Sequence, residues 1–171
     1  MIVVGITGTA GKSTTTRFLA SILNVAGKKT GYITTVNFFD GDNDFINKHG
    51  MSMPGRFLLQ KELKQILKNH CDFAIIECTS EGLFQNRHNG VDFDVAVVTN
   101  LAEAHLDSHG GFENYKKAKG KLFQALEKSA RKPFFLKKTI VVSSEDKNKD
   151  YFLSYRADQK IEVKFDRDVQ I

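Results

Sequence analysis

The sequence predicts an α/β fold, a mostly parallel sheet flanked by helices, on three observations. Short apolar runs rich in β-branched residues alternate with stretches whose apolar residues recur at helical spacing. A glycine-rich segment, Gly5-Ile6-Thr7-Gly8-Thr9-Ala10-Gly11-Lys12-Ser13-Thr14, joins the first run to the first helix. Each later run ends in polar residues, as strands of an open parallel sheet do where they border a ligand cleft.

The elements follow in order. Residues 2–6 form a strand that enters the glycine-rich loop directly. The helix after it keeps Phe18, Leu19, Ile22, Leu23 and Ala26 on one face and ends at Gly27. Residues 30–36 form a second strand. Residues 37–55, rich in Gly, Asp and Asn, read as one irregular loop, either facing a substrate or simply mobile. Leu59, Leu63, Ile66 and Leu67 mark another helix, residues 73–78 and 93–99 two further strands, residues 112–126 a helix and residues 139–142 a last strand. No internal repeat interrupts this βαβ alternation.

Length and composition fit a single domain over residues 1–171, since 41% hydrophobic residues with 14 Phe fill a core of that size. Cys71 and Cys78 bracket an apolar run without metal-ligand spacing and read as reduced core residues. No apolar run is long enough to span a membrane, and the start lacks a signal peptide's basic region, so a cytoplasmic protein without a membrane partner is expected. Lys and Arg number 25 against 20 Asp and Glu, for a net charge of +5. The basic clusters at residues 116–121 and 131–138 read as solvated faces. Nucleic acid is disfavoured as a partner, because Phe112, Tyr115 and Phe123 fall at helical core spacing instead of interleaving with exposed basic residues. An anionic small molecule accounts for the mild basicity equally well.

The loop carries the chemistry. Its glycines let backbone N–H groups of Gly8, Thr9 and Gly11 turn around an anion, Lys12 neutralises phosphate charge, and the Ser13 hydroxyl, followed by Thr14, stands at the helix start where it can ligate Mg²⁺. The spacing departs from G-x-x-x-x-G-K-[ST], since Ile6 stands six residues before Lys12. Four strand ends are expected to converge on it: the loop itself, Thr34-Thr35, Glu77-Cys78-Thr79-Ser80 and Thr99-Asn100. Glu77 is placed to hold Mg²⁺ beside phosphates, directly or through water; a buried salt-bridged Glu is the alternative.

Two further features point the same way. His105-Leu106-Asp107-Ser108-His109 follows a strand end, where His105 and His109 either ligate a metal, orient phosphate or belong to a polar loop. Lys119 lies in the apolar stripe of the 112–126 helix, and a lysine at that angle either snorkels outward, forms a salt bridge, to Glu113 or Glu77, or has a depressed pKa. A neutral amine there can add CO₂ and become a carbamate anion able to ligate Mg²⁺.

Together these motifs resemble the central, ATP-binding domain of the Mur ligase family, ATP-dependent enzymes that add amino acids to the peptidoglycan precursor, and within it the tripeptide-synthetase branch. The likeness rests on residues 5–15, on 77–83 with Arg87, on 93–101, on 105–110, and on Tyr115, Ala118, Lys119, Leu122 and Phe123, with residues 151–154 resembling that domain's tail. It implies a P-loop NTPase-like domain that binds ATP and Mg²⁺ within a ligase whose substrate carboxylate is activated as an acyl phosphate. It further implies that Lys12 stabilises the transferring phosphate, that Ser13 and Glu77 hold Mg²⁺, and that His105 and a carbamylated Lys119 join the metal site. By the same likeness Asn100 lies near the nucleotide, while Ser52, Thr79, Ser80 and Arg87 face the UDP-muramoyl-peptide substrate.

The resemblance covers about a third of such a ligase and omits its amino-terminal uridine-nucleotide domain and its carboxy-terminal domain, which would act in cis or in trans. Several positions depart from the family's usual residues: Ala10 for Asn, Ser52-Met53-Pro54 for Thr-Thr-Pro with the loss of one hydroxyl, Glu81 for His and Ala104 for Asp. A ligase of the related folylpolyglutamate or cyanophycin synthetases, or a stand-alone nucleotide-binding module without ligase activity, remains an alternative at this level.

Overall fold

The computed structural model describes residues 1–47, 53–102, 110–133 and 137–164. Among these, eight strands form one sheet: β1 (Ile2–Thr7), β2 (Thr30–Ile33), β3 (Asn37–Phe39), β4 (Asp44–Ile46), β5 (Phe73–Glu77), β6 (Val95–Val98), β7 (Thr139–Ser143) and β8 (Gln159–Val163). Their order is β4-β3-β2-β5-β1-β6-β7-β8, parallel except for the β2–β3 and β3–β4 pairs. The helices are α1 (Lys12–Val25), α2 (Arg56–Lys68), α3 (Ser80–Phe84), α4 (Phe112–Lys128) and α5 (Lys149–Leu153).

Alternation along each strand sends side chains to two cores. Val3, Ala74, Ile76, Ala96, Val98, Ile140 and Val142 pack with Leu59, Leu63 and Ile66 of α2, Tyr115, Leu122, Phe123 and Leu126 of α4, and Phe152 of α5. Val4, Ile6, Tyr32 and Ile75 pack on the other face around Ala20, with Leu19 and Leu23 of α1 against them. Cys71 and Cys78 are buried free thiols, as expected.

Three expectations are corrected. Residues 37–46 form a hairpin, β3 and β4, where an irregular loop was expected. The turn at Asp40-Gly41-Asp42-Asn43 is organised by the Asp40 carboxylate, which accepts the N–H groups of Asp42 and Asn43 at 2.9 and 2.8 Å. On α1 the inward face is rotated from the expected one: Thr16 and Ala20 are buried, whereas Phe18 and Ile22 point outward at 66% and 62% exposure. The expected helix end is found, with the Gly27 N–H returning to the Asn24 carbonyl. Finally, the basic stretch 131–138 is no simple solvated face. Lys132 and Lys138 both pair with the carboxylate of Asp94, itself 1% exposed, which also accepts the N–H of Val3 at 2.9 Å.

Candidate nucleotide site

The strand order sets the site. β2, β5, β1 and β6 lie side by side, with Ile33 beside Ile76, Ile6 beside Glu77 and Thr7 beside Val98, so the four expected strand ends meet at one edge of the sheet. The loop of residues 8–11 leaves β1 at the middle of that edge and enters α1, whose first N–H groups lack intrahelical partners and face an incoming anion.

Segment 99–102, at the end of β6, holds the loop in shape. Asn100 is the main clamp: its Oδ1 accepts the N–H groups of Thr9 and Ala10 at 3.2 and 3.0 Å, and its carbonyl accepts the Thr9 N–H at 2.9 Å. Thr99 donates its hydroxyl to the Ala10 carbonyl at 2.7 Å. Loop and strand end approach so closely that a Cβ on Gly8, whose φ is +150°, would stand 1.9 Å from Thr99 Oγ1. Ala102 donates its N–H to Thr9 Oγ1 at 3.0 Å, and the Tyr115 hydroxyl lies 3.2 Å from the same oxygen. The N–H groups of Thr9 and Ala10 are therefore engaged by Asn100, and the anion-facing donors are those of Gly11 and the first turn of α1.

Lys12 and Lys119 both reach the loop and share the Gly8 carbonyl as an acceptor. Lys12 Nζ donates to the carbonyls of Gly8 and Thr9 at 3.0 and 3.1 Å. Its pKa lies below the usual lysine value because burial outweighs the attraction of Glu77. Lys119 is reached because α4 packs directly on β1, where a Cβ on Gly5 would stand 2.5 Å from Leu122 Cδ1. At 1% exposure, Lys119 donates to the Gly8 carbonyl at 2.7 Å and lies 4.3 Å from the Tyr115 ring centroid. Burial, reinforced by the charge of Lys12, lowers its pKa to about 7. Of the explanations open for this lysine, a salt bridge to Glu113 or Glu77 is not found: Glu113 pairs with Lys116 at 2.7 Å, and Glu77 bonds elsewhere.

Glu77, at 3% exposure, accepts the Ser13 hydroxyl at 2.7 Å and the Thr35 N–H at 2.9 Å through one oxygen. The expected pairing of Ser13 with Glu77 is thus present as geometry. A hydroxyl and a buried carboxylate touching at the mouth of a phosphate loop are hard oxygen donors of the kind Mg²⁺ takes, so the residues present fit that ion. Thr14 and Ser13 border a cavity of about 370 Å³ with Arg17, Phe18, Ser21, Thr34 and Val36. On the other side, a cavity of about 720 Å³ runs along Thr99, Asn100, Leu101 and Ala102 to Phe112 and the turn before α5.

The remaining expected residues divide. Thr79 caps α3, accepting the Gly82 N–H at 3.2 Å, and Ser80 begins that helix. Arg87 donates to the Met53 carbonyl at 2.6 Å and to Gln85, with Glu81 at 3.7 Å, so it braces the chain around Met53. Ser52, Ala104, His105 and His109 lie outside the described residues. Sequence reasoning missed the clamping role of Asn100, the contact of Tyr115 with Thr9, and the Thr35 N–H on Glu77. The first had a signal, an Asn directly after a strand beside the loop; the backbone contact had none.

A family model described as the Mur ligase middle domain matches residues 6–168. The UDP-N-acetylmuramyl-tripeptide synthetase of Treponema pallidum is 40% identical over 129 residues, covering 74% of this chain and 24% of that protein. The UDP-N-acetylmuramoyl-L-alanyl-D-glutamate–2,6-diaminopimelate ligase of Geobacillus kaustophilus is 39% identical over 151 residues, covering 87% and 30%. A solved structure of a UDP-N-acetylmuramoyl-L-alanyl-D-glutamate–2,6-diaminopimelate ligase superposes with a TM-score of 0.73 at 24% identity, over 99% of this chain and 33% of that one. The MurF ligase of Thermotoga maritima in complex with ADP superposes at 0.62 and 18% identity, over 95% and 32%. The last two likenesses concern the fold, and the chain spans no more than about a third of any of these proteins. With a family model matched along nearly its whole length, the chain belongs to the Mur ligase middle-domain family.

Proposed function

We propose that this chain is the ATP- and Mg²⁺-binding domain of a cytoplasmic ligase that joins an amino acid to a UDP-N-acetylmuramoyl-peptide in peptidoglycan precursor synthesis. The observation that carries the reading is the convergence of Lys12, Lys119 and the Ser13–Glu77 pair on one loop of residues 8–11. The relatives named above, near 40% identity, favour the muramoyl branch over folylpolyglutamate-type ligases, whose likeness is one of fold.

In this reading Lys12 leaves the Gly8 and Thr9 carbonyls for the β- and γ-phosphates, and the N–H groups at the start of α1 bind phosphate oxygens. Ser13 and Glu77 would hold Mg²⁺, which when bound would supply positive charge beside the phosphates. The γ-phosphoryl group passes from ATP to the substrate carboxylate, giving ADP and an acyl phosphate; the amine of the incoming amino acid then attacks the acyl carbon, releasing phosphate and a proton as the amide forms. Lys119, an amine whose pKa burial lowers to about 7 so that a substantial neutral fraction is present near neutral pH, adds CO₂ with loss of one proton to give a carbamate, which retains an N–H for the Gly8 carbonyl and would offer two oxygens toward a metal. Asn100 serves the nucleotide by shaping the loop. Thr79, Ser80 and Arg87 border the muramoyl-peptide, with Ser52 and His105 assigned by resemblance alone. The uridine-nucleotide and amino-acid sites belong to further domains, in cis or in trans, so the chain by itself binds Mg·ATP without completing ligation.

The test is a chimera in which this chain replaces the matching middle domain of the Geobacillus kaustophilus ligase. ADP release that requires UDP-muramoyl-dipeptide and amino acid, and is lost with Lys12→Ala, supports the reading. A folded chimera that binds ATP yet forms no amide identifies a nucleotide-binding module without ligase activity.

A further inference from the structure

The turn between β7 and α5 holds the segment that clamps the phosphate loop. Asp146, nearly buried, accepts the Leu101 N–H at 2.5 Å through Oδ2 and the Asn148 N–H at 2.7 Å through Oδ1. Asn148 Nδ2 lies 3.5 Å from the Leu101 carbonyl, so Leu101 is gripped at both its N–H and its carbonyl. Leu101 directly follows Asn100, whose side chain and carbonyl hold the N–H groups of Thr9 and Ala10. Ala102, the next residue, bonds Thr9 Oγ1.

We propose that Asp146 is a positioning residue for the nucleotide site, fixing the register of residues 100–102 and, through Asn100, the conformation of the phosphate loop. The inference rests on the ATP-binding reading above and adds a control point some forty-five residues away in sequence. The physical reason is that a carboxylate accepting two backbone N–H groups in a nearly buried place forms charge-assisted bonds and has few alternatives. Removing it leaves the buried Leu101 N–H without its acceptor, and a shift of Leu101 to regain a partner is passed to the adjoining Asn100 and Ala102, which bond the loop directly. Glu145 and Lys147, on either side of Asp146, line the same cavity as residues 99–102, so this turn and the loop border one space.

The test compares wild type, Asp146→Ala, Asp146→Asn, Lys12→Ala and, as a stability control, Asp158→Ala, which removes a carboxylate bonded to Arg131 and the Lys138 N–H. Two quantities are read: Mg·ADP affinity by calorimetry, and exchange of the Thr9 and Ala10 amides by NMR without nucleotide. Asp146→Ala is expected to weaken Mg·ADP by about tenfold and to speed exchange at those two amides. Asp146→Asn, which keeps an acceptor for the Leu101 N–H, restores most of both, and Asp158→Ala changes neither. Wild-type affinity and unchanged exchange in Asp146→Ala overturn the positioning role while leaving the ATP reading intact. If wild type itself binds no Mg·ADP, the ATP reading fails, and the exchange rates of Thr9 and Ala10 alone decide the positioning role. If Asp146→Ala does not fold, Asp146→Asn and the affinity and exchange it shows decide in its place, because a shift confined to the Thr9 and Ala10 amides separates positioning from general loss of stability.

Discussion

Replacing Lys119 with Met keeps an unbranched apolar stem, one atom shorter, and removes the amine, which makes the burial of that amine measurable as a pH dependence of stability. The lysine titrates near 7 in the folded protein and near 10.5 when exposed, with burial as the larger cause and the charge of Lys12 as the smaller. Between those values the unfolded chain binds a proton at Lys119 that the folded chain lacks, so wild-type stability rises with pH through that window and flattens below pH 7. The slope is about 1.4 kcal/mol per pH unit, hence about 2 kcal/mol between about pH 7.5 and about pH 9.0. Lys119→Met lacks this gain, while the other titrating groups cancel to first order in the comparison. Urea unfolding followed by circular dichroism at the two pH values, without divalent metal or bicarbonate, is the assay. Parallel pH dependence in wild type and Lys119→Met would refute the claim that the folded state holds this amine in a charge-disfavouring site.

Three other outcomes follow from the structure. Asp94→Ala leaves Lys132 and Lys138 without the carboxylate they share and is expected to cost about 3–5 kcal/mol in urea unfolding, with the melting temperature falling accordingly. Glu77→Gln keeps an acceptor for Ser13 and the Thr35 N–H but removes the charge, so calorimetry should show the Mg²⁺-dependent part of ATP binding falling by about tenfold or more, with metal-free binding changed less. Burial raises the Glu62 carboxyl to about 7, so its ionisation disfavours the folded state as pH rises from the exposed value of 4.5 through 7. Glu62→Gln should therefore be more stable than wild type at about pH 8, by about 1 kcal/mol after allowance for partial exposure, with the difference fading toward about pH 4.5.

What the sequence made legible follows the strength of its local signals. β1, the loop and α1 were read together because an apolar run, three glycines and Lys12-Ser13 each require the same strand–turn–helix arrangement. Lys119 stood out because a charge in an apolar helical stripe is costly, and its burial against Gly8 follows from that anomaly. The hairpin of β3 and β4 was obscured because its strands are three residues each, too short for alternation to register, although Asp40-Gly41 between Phe38-Phe39 and Phe45-Ile46 is a turn signal of the right kind. On α1 the apolar residues Phe18 and Ile22 suggested the wrong inward angle, because Thr16 and Ala20, small enough to let the helix approach the sheet, hold the buried positions. The lysines around Asp94 were read as solvated because charge runs usually are; their shared partner lies about forty residues earlier, and only the sheet register brings the two together. Asp146 gave no local sign, since its partner is a backbone N–H and no residue type announces that.

The most direct test of the central claim is calorimetric titration of this chain with Mg·ATP, for wild type and Lys12→Ala under identical conditions. The account predicts saturable one-to-one binding in wild type and its loss in Lys12→Ala with the fold intact by circular dichroism. Equal binding in the two proteins, or none in a well-folded wild type, would contradict the assignment of residues 8–14 as an autonomous phosphate site.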